Sequence, residues 1–475
     1  MRTLMIGMLF IAILSGCQYV HFLEEKLSTY DSKFSIVRQP APASKNKISN
    51  VYYMGGKGYE NGNRIIRTAD GGLIIFGNTA SSFGLSTDYI ALKLSKNGDF
   101  IWAKTYGGEG AGIDKLIYTV ATHDNGFLMF GESTSNFFTS LKYGTYRDSF
   151  RPFLIKIDSF GAVQWANTLE LNAANVFSVI QTQDHDYVIA GLVIPDKNSS
   201  RSQIAVFKLS ENGNLAWARI CDVGNTNIAF SVTESADGDL ILSGHKQESN
   251  GAYPLLMKLD RNGNPLWAKI YSINNSSREK IYFRQVFHVS DGSLIAAGQE
   301  EKQEGTHILV MKLKTDGEII WSKFYERHDN NNFIKILAQD NGNYLILGSQ
   351  SNGNTRQPKM NTIALIIGTN GEMLDSLSAY DAGVIFEDAV TSENGIVNLV
   401  GTTSLGQYLD FFTVMWEPNI NKPNLDYLTA TDQKFSLKEV GVKVQKIEVD
   451  PSDVRDYVKV KNLSFKKSPP TLISE

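Results

Sequence analysis

The feature of this sequence that most limits its fold is an internal repeat with a period of 50 to 60 residues. Seven segments each consist of a turn, an apolar run and a closing glycine. The closing glycines are Gly77, Gly131, Gly191, Gly244, Gly298, Gly348 and Gly401, and their spacings are 54, 60, 53, 54, 50 and 53 residues. A regular period over seven copies indicates one structural unit repeated along the chain.

A second segment alternates with the first and contains a strand ending in Lys-Leu, an Asx-Gly turn and a strand with Trp-Ala-Lys or a variant of it. Its tryptophans are Trp102, Trp165, Trp217, Trp267 and Trp321. Asx-Gly between apolar runs predicts a hairpin whose two central residues both take positive φ. Each repeat holds about four such runs, and the runs are nearly continuous, which is typical of strands buried on both faces. The sequence therefore predicts an all-β, seven-bladed β-propeller over residues 49–416.

The last repeat lacks a strand of the Trp-Ala-Lys type. Residues 50–56, Asn-Val-Tyr-Tyr-Met-Gly-Gly, match the missing strand by analogy with residues 105–108, Thr-Tyr-Gly-Gly. We therefore predict that an N-terminal strand closes the ring, which would leave no open strand edge.

The Lys-Leu, Trp-Ala-Lys and Asp-Gly-Gly segments resemble the repeat family of secreted bacterial seven-bladed β-propellers (the SBBP repeat). The resemblance covers roughly residues 50–416. The chain is also similar to quinoprotein-type propellers, in which a tryptophan of each blade docks on its neighbour; the lipoprotein propeller of the outer-membrane barrel-assembly machinery is one relative of that type. Both resemblances imply an architecture and leave the activity open.

The N-terminus has the features of a bacterial lipoprotein signal. Residues 4–14 form an apolar run too short to span a bilayer. The following Leu14, Ser15, Gly16 and Cys17 resemble a lipobox, which implies a signal peptide over 1–16, a lipid on Cys17 and a further acyl chain such as palmitate. The alternative is a plain secretory signal with an unrelated cysteine. Gln18 after the cysteine favours the outer membrane, on either side of it.

The segments that flank the repeats have their own predictions. Residues 17–48 are predicted to form a lipid-anchored tether, or else a segment that folds onto the body. Residues 417–475 are predicted to be a short β-rich extension. Its alternating runs at 442–449 and 457–460 could form a hairpin that pairs with the propeller's flank or with a partner.

The repeated side chains have structural and functional interpretations. The tryptophans could stack on sugars or a cofactor, but packing between blades is favoured because ligand contacts are rarely identical around a ring. Each Lys-Leu segment also repeats a lysine. These lysines could line a channel for anions, but solvent-exposed ammonium groups on buried stems are favoured; they are Lys93, Lys156, Lys208, Lys258 and Lys312.

Several function classes are disfavoured. A net charge of −4 argues against nucleic-acid binding. If Cys17 carries lipid, Cys221 has no disulfide partner, and it is predicted to be buried. The histidines fall singly, and Asp184, His185 and Asp186 are interpreted as a degenerate turn, so no metal site is predicted. No nucleophile elbow or phosphate loop occurs, so neither catalytic residues nor a cofactor are predicted.

One long loop, residues 136–151, interrupts the repeat. It combines aromatic and basic residues and is either a partner-contact surface or a loop packed on its own blade. The candidate contact residues are Phe137, Phe138, Tyr143, Tyr146 and Arg147.

Two functions remain open. The favoured one is a non-enzymatic protein-interaction scaffold of the outer membrane, part of an assembly or secretion complex with other envelope proteins as partners. The alternative is an enzyme or ligand-binding protein that acts on extracellular carbohydrate or peptide at the channel mouth. Three or more convergent carboxylates or histidines there would favour chemistry. A quinone-dependent dehydrogenase is disfavoured because no vicinal cysteine pair occurs.

Overall fold

The computed structural model contains 35 described strands, numbered β1–β35 along the chain. It describes residues 34–39, 48–55, 60–80, 87–107, 112–134, 151–169, 174–194, 201–273, 280–302, 305–326, 330–351, 360–379, 384–392, 395–403, 410–416, 429–432, 435–439, 443–446, 451–453, 459–463 and 465–467. No helix within these ranges is long and apolar enough to cross a membrane. The prediction of an all-β propeller is confirmed.

Six blades, each of four consecutive antiparallel strands, follow one another in the described residues. Blades 1 to 3 contain β3 (Glu60–Arg67), β4 (Leu73–Ala80), β5 (Thr87–Leu94) and β6 (Phe100–Gly107); β7 (Asp114–Ala121), β8 (Phe127–Ser133), β9 (Arg151–Ile157) and β10 (Val163–Leu169); β11 (Ala174–Gln181), β12 (Tyr187–Val193), β13 (Gln203–Leu209) and β14 (Leu215–Asp222). Blades 4 to 6 contain β15 (Thr226–Glu234), β16 (Leu240–Glu248), β17 (Gly251–Leu259) and β18 (Pro265–Ile273); β19 (Ile281–His288), β20 (Leu294–Lys302), β21 (Gly305–Leu313) and β22 (Ile319–Glu326); β23 (Asn330–Ala338), β24 (Tyr344–Ser351), β25 (Met360–Ile367) and β26 (Met373–Ala379).

A composite sheet combines strands from both ends of the chain. Its order is β27 (Val384–Thr391), β28 (Val397–Thr403), β29 (Asp410–Trp416), β2 (Ile48–Gly55), β1 (Phe34–Gln39) and β35 (Phe465–Lys467). Strand β2 pairs antiparallel with β29, so an N-terminal strand takes the fourth position of this sheet. Strand β1 lies within the segment 17–48 and pairs antiparallel with β2. Its Ser-Ile-Val sequence suits a strand, and pairing satisfies the backbone groups along β2.

The core lies between sheets rather than within one centre. Seven apolar clusters each join two sheets that follow one another. One links blade 6 to the composite sheet through Leu345 and Leu399, and another links blade 1 to that sheet through Ile65 and Val400. Because both faces of each sheet are buried in this way, the strands read as continuous apolar runs.

The C-terminal extension contributes an added strand to each of five blades, and we call these five strands the belt. They are β30 (Thr429–Asp432), β31 (Phe435–Glu439), β32 (Lys443–Lys446), β33 (Pro451–Asp453) and β34 (Lys459–Leu463). They pair with the fourth strands of blades 5, 4, 3, 2 and 1 in that order. In the described residues the two alternating runs pair with blades: Val444 lies opposite Cys221 and Val460 opposite Tyr106. The outer edge of a blade offers unpaired N–H and C=O groups to an added strand. An isolated two-stranded hairpin, by contrast, is only marginally stable.

The turns differ from the predicted hairpin type. Between β5 and β6, the amide of Ser95 donates to Asp99 O at 2.7 Å and that of Gly98 to Ser95 O at 2.9 Å. Gly98 has φ 80, whereas Asn97 is not among the residues with positive φ. The loop is therefore a tight turn followed by one left-handed glycine, and not a two-residue turn with two positive φ values. The turn type differs because this loop is longer than the predicted two residues.

The prediction that the repeated lysines extend their ammonium groups into solvent is wrong. Lys93 and Lys156 are 5% and 3% exposed, and each ammonium group meets the aspartate in the turn between the first two strands of its blade. The pairs are Lys93–Asp70 at 2.8 Å, Lys156–Asp124 at 2.8 Å, Lys208–Asp184 at 2.6 Å, Lys258–Asp239 at 2.9 Å with Asp237 at 3.4 Å, and Lys312–Asp291 at 2.6 Å. Burying the stem beneath a neighbouring sheet leaves the ammonium group dependent on this partner.

The repeated tryptophans pack between blades, as favoured from the sequence. A Cβ built on Gly213 of blade 3 would lie 3.0 Å from the ring of Trp165 in blade 2. Trp165 Nε1 also donates to Glu211 O at 3.1 Å, and Tyr106 Oη donates to Gly161 O at 2.9 Å. The fourth strand of one blade thus clamps the last turn of the next. Cys221 is fully buried, as predicted, and burial raises its pKa to about 12.

Candidate functional site in the central channel

Each innermost strand carries a β-bulge opposite the closing glycine of its sheet. In blade 1, Gly62 lies opposite Gly77 and Arg64 opposite Phe76, so Asn63 is an extra residue. A Cβ on Gly77 would lie 1.8 Å from the carbonyl oxygen of Asn61, so only glycine fits. The same shift recurs in the other five blades and in the composite sheet. The closing glycines therefore mark the bulges.

The extra residues of the bulges form a ring that we call the channel residues. They are Asn63, Ile117, Phe177, Phe230, Arg284, Ile334 and Glu387. Three members of this set touch one another where blades 3, 4 and 5 meet. The rings of Phe177 and Phe230 are 5.1 Å apart, and the guanidinium carbon of Arg284 lies 4.2 Å from the centroid of Phe230. These side chains therefore face the central channel.

The residue after each bulge joins its strand to the next innermost strand. Ser178 accepts a hydrogen bond from the amide of Val232 at 3.3 Å, and Gln285 Oε1 accepts one from the amide of Ile336 at 2.9 Å. Asp388 of the composite sheet accepts one from the amide of Ile65 in blade 1 at 3.0 Å. These polar positions hold adjacent sheets together, and among the channel residues Asn63 does the same, since its Nδ2 donates to Leu116 O at 2.9 Å.

A buried charged network lies beside the channel. Asp388, with a fully buried side chain, accepts a hydrogen bond from Lys335 Nζ and lies 3.5 Å from Arg64 Nε. Arg64 also stacks on Tyr118 at 4.1 Å. Burial and the positive charge of Arg64 lower the pKa of Lys335 to about 8. The carboxylate is committed to this network and to the amide of Ile65, so it is not free for chemistry on a ligand.

Glu387 is the acidic channel residue. Its side chain is exposed, and within the described residues the nearby Arg64 and Lys335 pair with Asp388 instead. The surrounding protein and the neighbouring Asp388 raise its pKa to about 7. A carboxyl group with such a pKa can hold or release a proton near neutrality.

The opposite arc of the channel is aromatic. His245 stacks on Phe230 with 5.5 Å between centroids and meets Tyr282 edge-on at 4.8 Å. Burial and the charge of Arg284 lower the pKa of His245 to about 4, so the ring is neutral at physiological pH. Its Nδ1 is buried without a hydrogen-bond partner. Burial also lowers the pKa of Arg284. We call Phe177, Phe230, Tyr282, His245 and Arg284 the aromatic wall.

A second cluster lies at the turns of blades 2 and 3. The donor atoms of His123, His185 and Glu211 lie within 4.8 Å of one another. The imidazole rings are stacked, 3.5 Å apart and 12° from parallel, so no point lies in both ring planes, as shared coordination of one ion would require. Gln181 Nε2 donates to His123 Nδ1 at 3.0 Å, which leaves the proton on Nε2, 3.3 Å from Glu211 Oε1. This arrangement fits a contact between blades rather than a metal site.

The site residues predicted from the sequence lie outside the described residues. These are the lipidation site Cys17 with Leu14, Ser15 and Gly16, and the contact loop with Phe137, Phe138, Tyr143, Tyr146 and Arg147. The channel residues were missed because bulges are not visible in a repeat of apolar runs. A usable signal exists: each channel residue lies 14 positions before its closing glycine.

No family model matches the chain, and no curated protein matches it either. Solved structures do. The β-propeller domain of the Trilobed protease from Pyrococcus furiosus is 8% identical, with a TM-score of 0.44 over 77% of this chain and 97% of that one. Chaetomium thermophilum Sqt1 is 12% identical, with a TM-score of 0.43 over 82% and 95%. Puromycin hydrolase is 12% identical, with a TM-score of 0.41 over 79% of this chain but only 59% of the hydrolase.

Proposed function

We propose that the protein is an envelope-anchored binding propeller whose ligand occupies the central channel. One observation carries this proposal: the channel residues are the ring where the repeats stop repeating. The lysines, turn aspartates and tryptophans recur because each performs the same structural task. The channel positions instead hold one amide, one cation, one acid, two aromatic and two aliphatic side chains. Packing does not require such variety, whereas recognition of an asymmetric ligand does.

A channel needs a closed wall, and we propose that the composite sheet is its seventh blade. Support comes from its contacts on both sides. Asp388 meets Lys335 of blade 6 and the amide of Ile65 in blade 1. Strand β2 in the fourth position then acts as the N-terminal clasp.

We further propose that Cys17 anchors this ring to the outer membrane, as the lipobox resemblance implies. Several acyl chains hold a protein stably at a bilayer, where one alone is marginal. The Cys17→Ser chain is expected in the soluble fraction after cell lysis. Its recovery with the membranes at wild-type levels would refute the anchor. The predicted roles as a non-enzymatic scaffold and as a partner of envelope proteins stay predictions.

The proposal that the ligand binds in the channel is tested by blocking the channel with a bulky covalent label. In the Cys17→Ser chain, Ile117→Cys places one reactive thiol among the channel residues, while Cys221 is fully buried and unreactive. The matched control is Phe160→Cys at an exposed turn of blade 2, where the side chain is 75% exposed. Both variants are labelled with a bulky maleimide and mixed with the small-molecule extract of the native envelope and with a fragment library.

Native mass spectrometry and ligand-detected NMR are expected to show compounds that bind the unlabelled protein and the labelled Phe160→Cys variant. The same compounds should not bind the labelled Ile117→Cys variant. Equal binding to both labelled variants, or no binding compound from either source, would overturn the channel as the ligand site.

A further inference from the structure

The aromatic wall has the composition of a subsite for a particular chemical group. Phe177 and Phe230 come from neighbouring innermost strands and meet at 57°. The Arg284 guanidinium lies over Phe230 at 4.2 Å and near Tyr282 at 5.7 Å. A guanidinium presents its N–H donors in one plane. The wall therefore places aromatic rings and a planar set of donors side by side.

Arg284 lacks a close anionic partner in the described residues. No carboxylate oxygen lies within 4.0 Å of its guanidinium, whereas Arg64 lies 3.5 Å from Asp388. Glu301 acts on Arg284 only from a longer distance and lies 3.9 Å from Lys280. A cation that has lost water without gaining an anion is in an unfavourable state, which binding of an anion relieves.

A second unsatisfied group lies in the same wall. His245 is 8% exposed, and its Nδ1 has no hydrogen-bond partner among the residues that the structure describes. Buried polar atoms are almost always hydrogen-bonded, so an orphan indicates a missing partner. Its ring packs against Phe230 and Tyr282. The wall thus has two independent deficits, one of negative charge and one of a hydrogen bond.

We propose, building on the channel function above, that the aromatic wall binds a ring-bearing monocarboxylate, with the carboxylate on Arg284 and the ring against Phe177 and Phe230. A planar carboxylate matches the edge of a guanidinium with two parallel hydrogen bonds. An aromatic ring or the apolar face of a sugar packs well on aromatic side chains. Glu387 lies in the same set of channel residues.

The test uses two acids and their neutral counterparts, so that the two sources of this chemistry are separated. Benzoate is compared with benzyl alcohol, and D-glucuronate with D-glucose, by NMR titration of the Cys17→Ser chain. At least one acid is expected to bind about tenfold or more tightly than its counterpart, as expected for a hydrogen bond to a charged group. The acid that binds identifies an aromatic or a sugar ligand.

Variants assign the binding to Arg284. Arg284→Met keeps the length of the side chain and should abolish the preference for the acid, and Arg284→Lys should retain part of it. The matched control Arg261→Met removes an arginine that donates to Asp237 O at an exposed turn and should not change binding. If Arg284→Met fails to fold, the comparison of acid with neutral compound in the unsubstituted chain still decides.

Equal affinity for acids and neutral counterparts, an unchanged preference in Arg284→Met, or no binding of either acid would each overturn this proposal. These outcomes leave the proposed channel function intact if the labelled Ile117→Cys variant still fails to bind ligands of another class. If that labelled variant binds every ligand as well as the labelled Phe160→Cys control does, both the channel function and the monocarboxylate subsite are overturned.

Discussion

At the scale of single residues, the charged side chains fall into two groups: the repeated lysine–aspartate pairs, and Glu387 with its raised pKa. The repeated lysine–aspartate pairs have buried lysine stems but aspartates at the surface, such as Asp70 with 60% of its side chain exposed. Pairs of this kind add little stability each and mainly satisfy the lysine. Blade 6 supports this view, because Ile366 replaces the lysine and Asn341 replaces the aspartate. The two residues are lost together, as expected if each is present for the other.

Glu387 makes stability depend on pH. Its pKa is about 7 in the folded chain against 4.5 ordinarily, so the folded state binds this proton more tightly than the unfolded state does. The contribution of Glu387 to stability is therefore full below pH 4.5 and is lost as the pH rises through 7. Replacing Glu387 with Gln removes this loss.

We expect the melting temperature of Glu387→Gln, relative to the unsubstituted protein, to increase between pH 5 and pH 8. Differential scanning calorimetry at several pH values measures this difference. The control is Glu318→Gln, at a surface turn where the carboxylate pairs with Lys314 at 2.5 Å. Parallel melting curves for Glu387→Gln and the unsubstituted protein at all pH values would contradict the prediction.

At the scale of elements, the turn between the third and fourth strands is the unit that joins blades. Its left-handed glycine lies under the tryptophan of the preceding blade, as Gly213 lies under Trp165 and Gly371 under Trp321. The absence of a side chain therefore serves two purposes, since it permits positive φ and makes room for the indole. A tryptophan and a turn glycine 46 to 59 residues later form one contact between blades.

Two glycine substitutions separate these purposes. Gly292→Ala has φ 82 and no atom within 4 Å of the new Cβ, whereas Gly213→Ala has φ 80 and a new Cβ 2.5 Å from Asn167 Nδ2. Gly292→Ala should lower the free energy of unfolding by about 1–2 kcal/mol through backbone strain alone. Gly213→Ala should lower the free energy of unfolding by about 1–3 kcal/mol more, because its Cβ overpacks the contact between blades. Equal reductions in melting temperature for the two variants would show that the contact between blades contributes nothing.

At the scale of the whole molecule, strands from both ends of the chain add to the sheets of the propeller. Strand β2 supplies the fourth strand of the composite sheet, and the belt adds a fifth strand to blades 1 to 5. Outer strands would otherwise present unpaired N–H and C=O groups, which invite pairing with other chains. The added strands therefore contribute to solubility as well as stability.

Removing the clasp tests ring closure. Replacing residues 48–55 with eight Gly and Ser residues should open the contact between the composite sheet and blade 1 and lower the melting temperature sharply. The control replaces residues 40–47 in the same way. A melting temperature as high as that of the control would contradict the clasp.

Removing the belt tests edge protection. A chain that ends at residue 416 should remain folded but self-associate, because five blades lose their outermost partner strand. Size-exclusion chromatography with light scattering measures this, with a chain ending at residue 467 as the control. A monomeric, soluble product would show that the outer edges need no cover.

The sequence by itself determined the all-β repeat, the positions of the turns and the packing role of the tryptophans, because short-range periodicity and turn chemistry act within one repeat. Trp165 and Gly213, for example, recur with that period. Only the tertiary structure decided which residues face the channel, since a bulge shifts the register by one residue and turns Arg284 and Glu387 inward. It also decided the path of the belt, because the choice of partner edge depends on the assembled ring and on no local pattern.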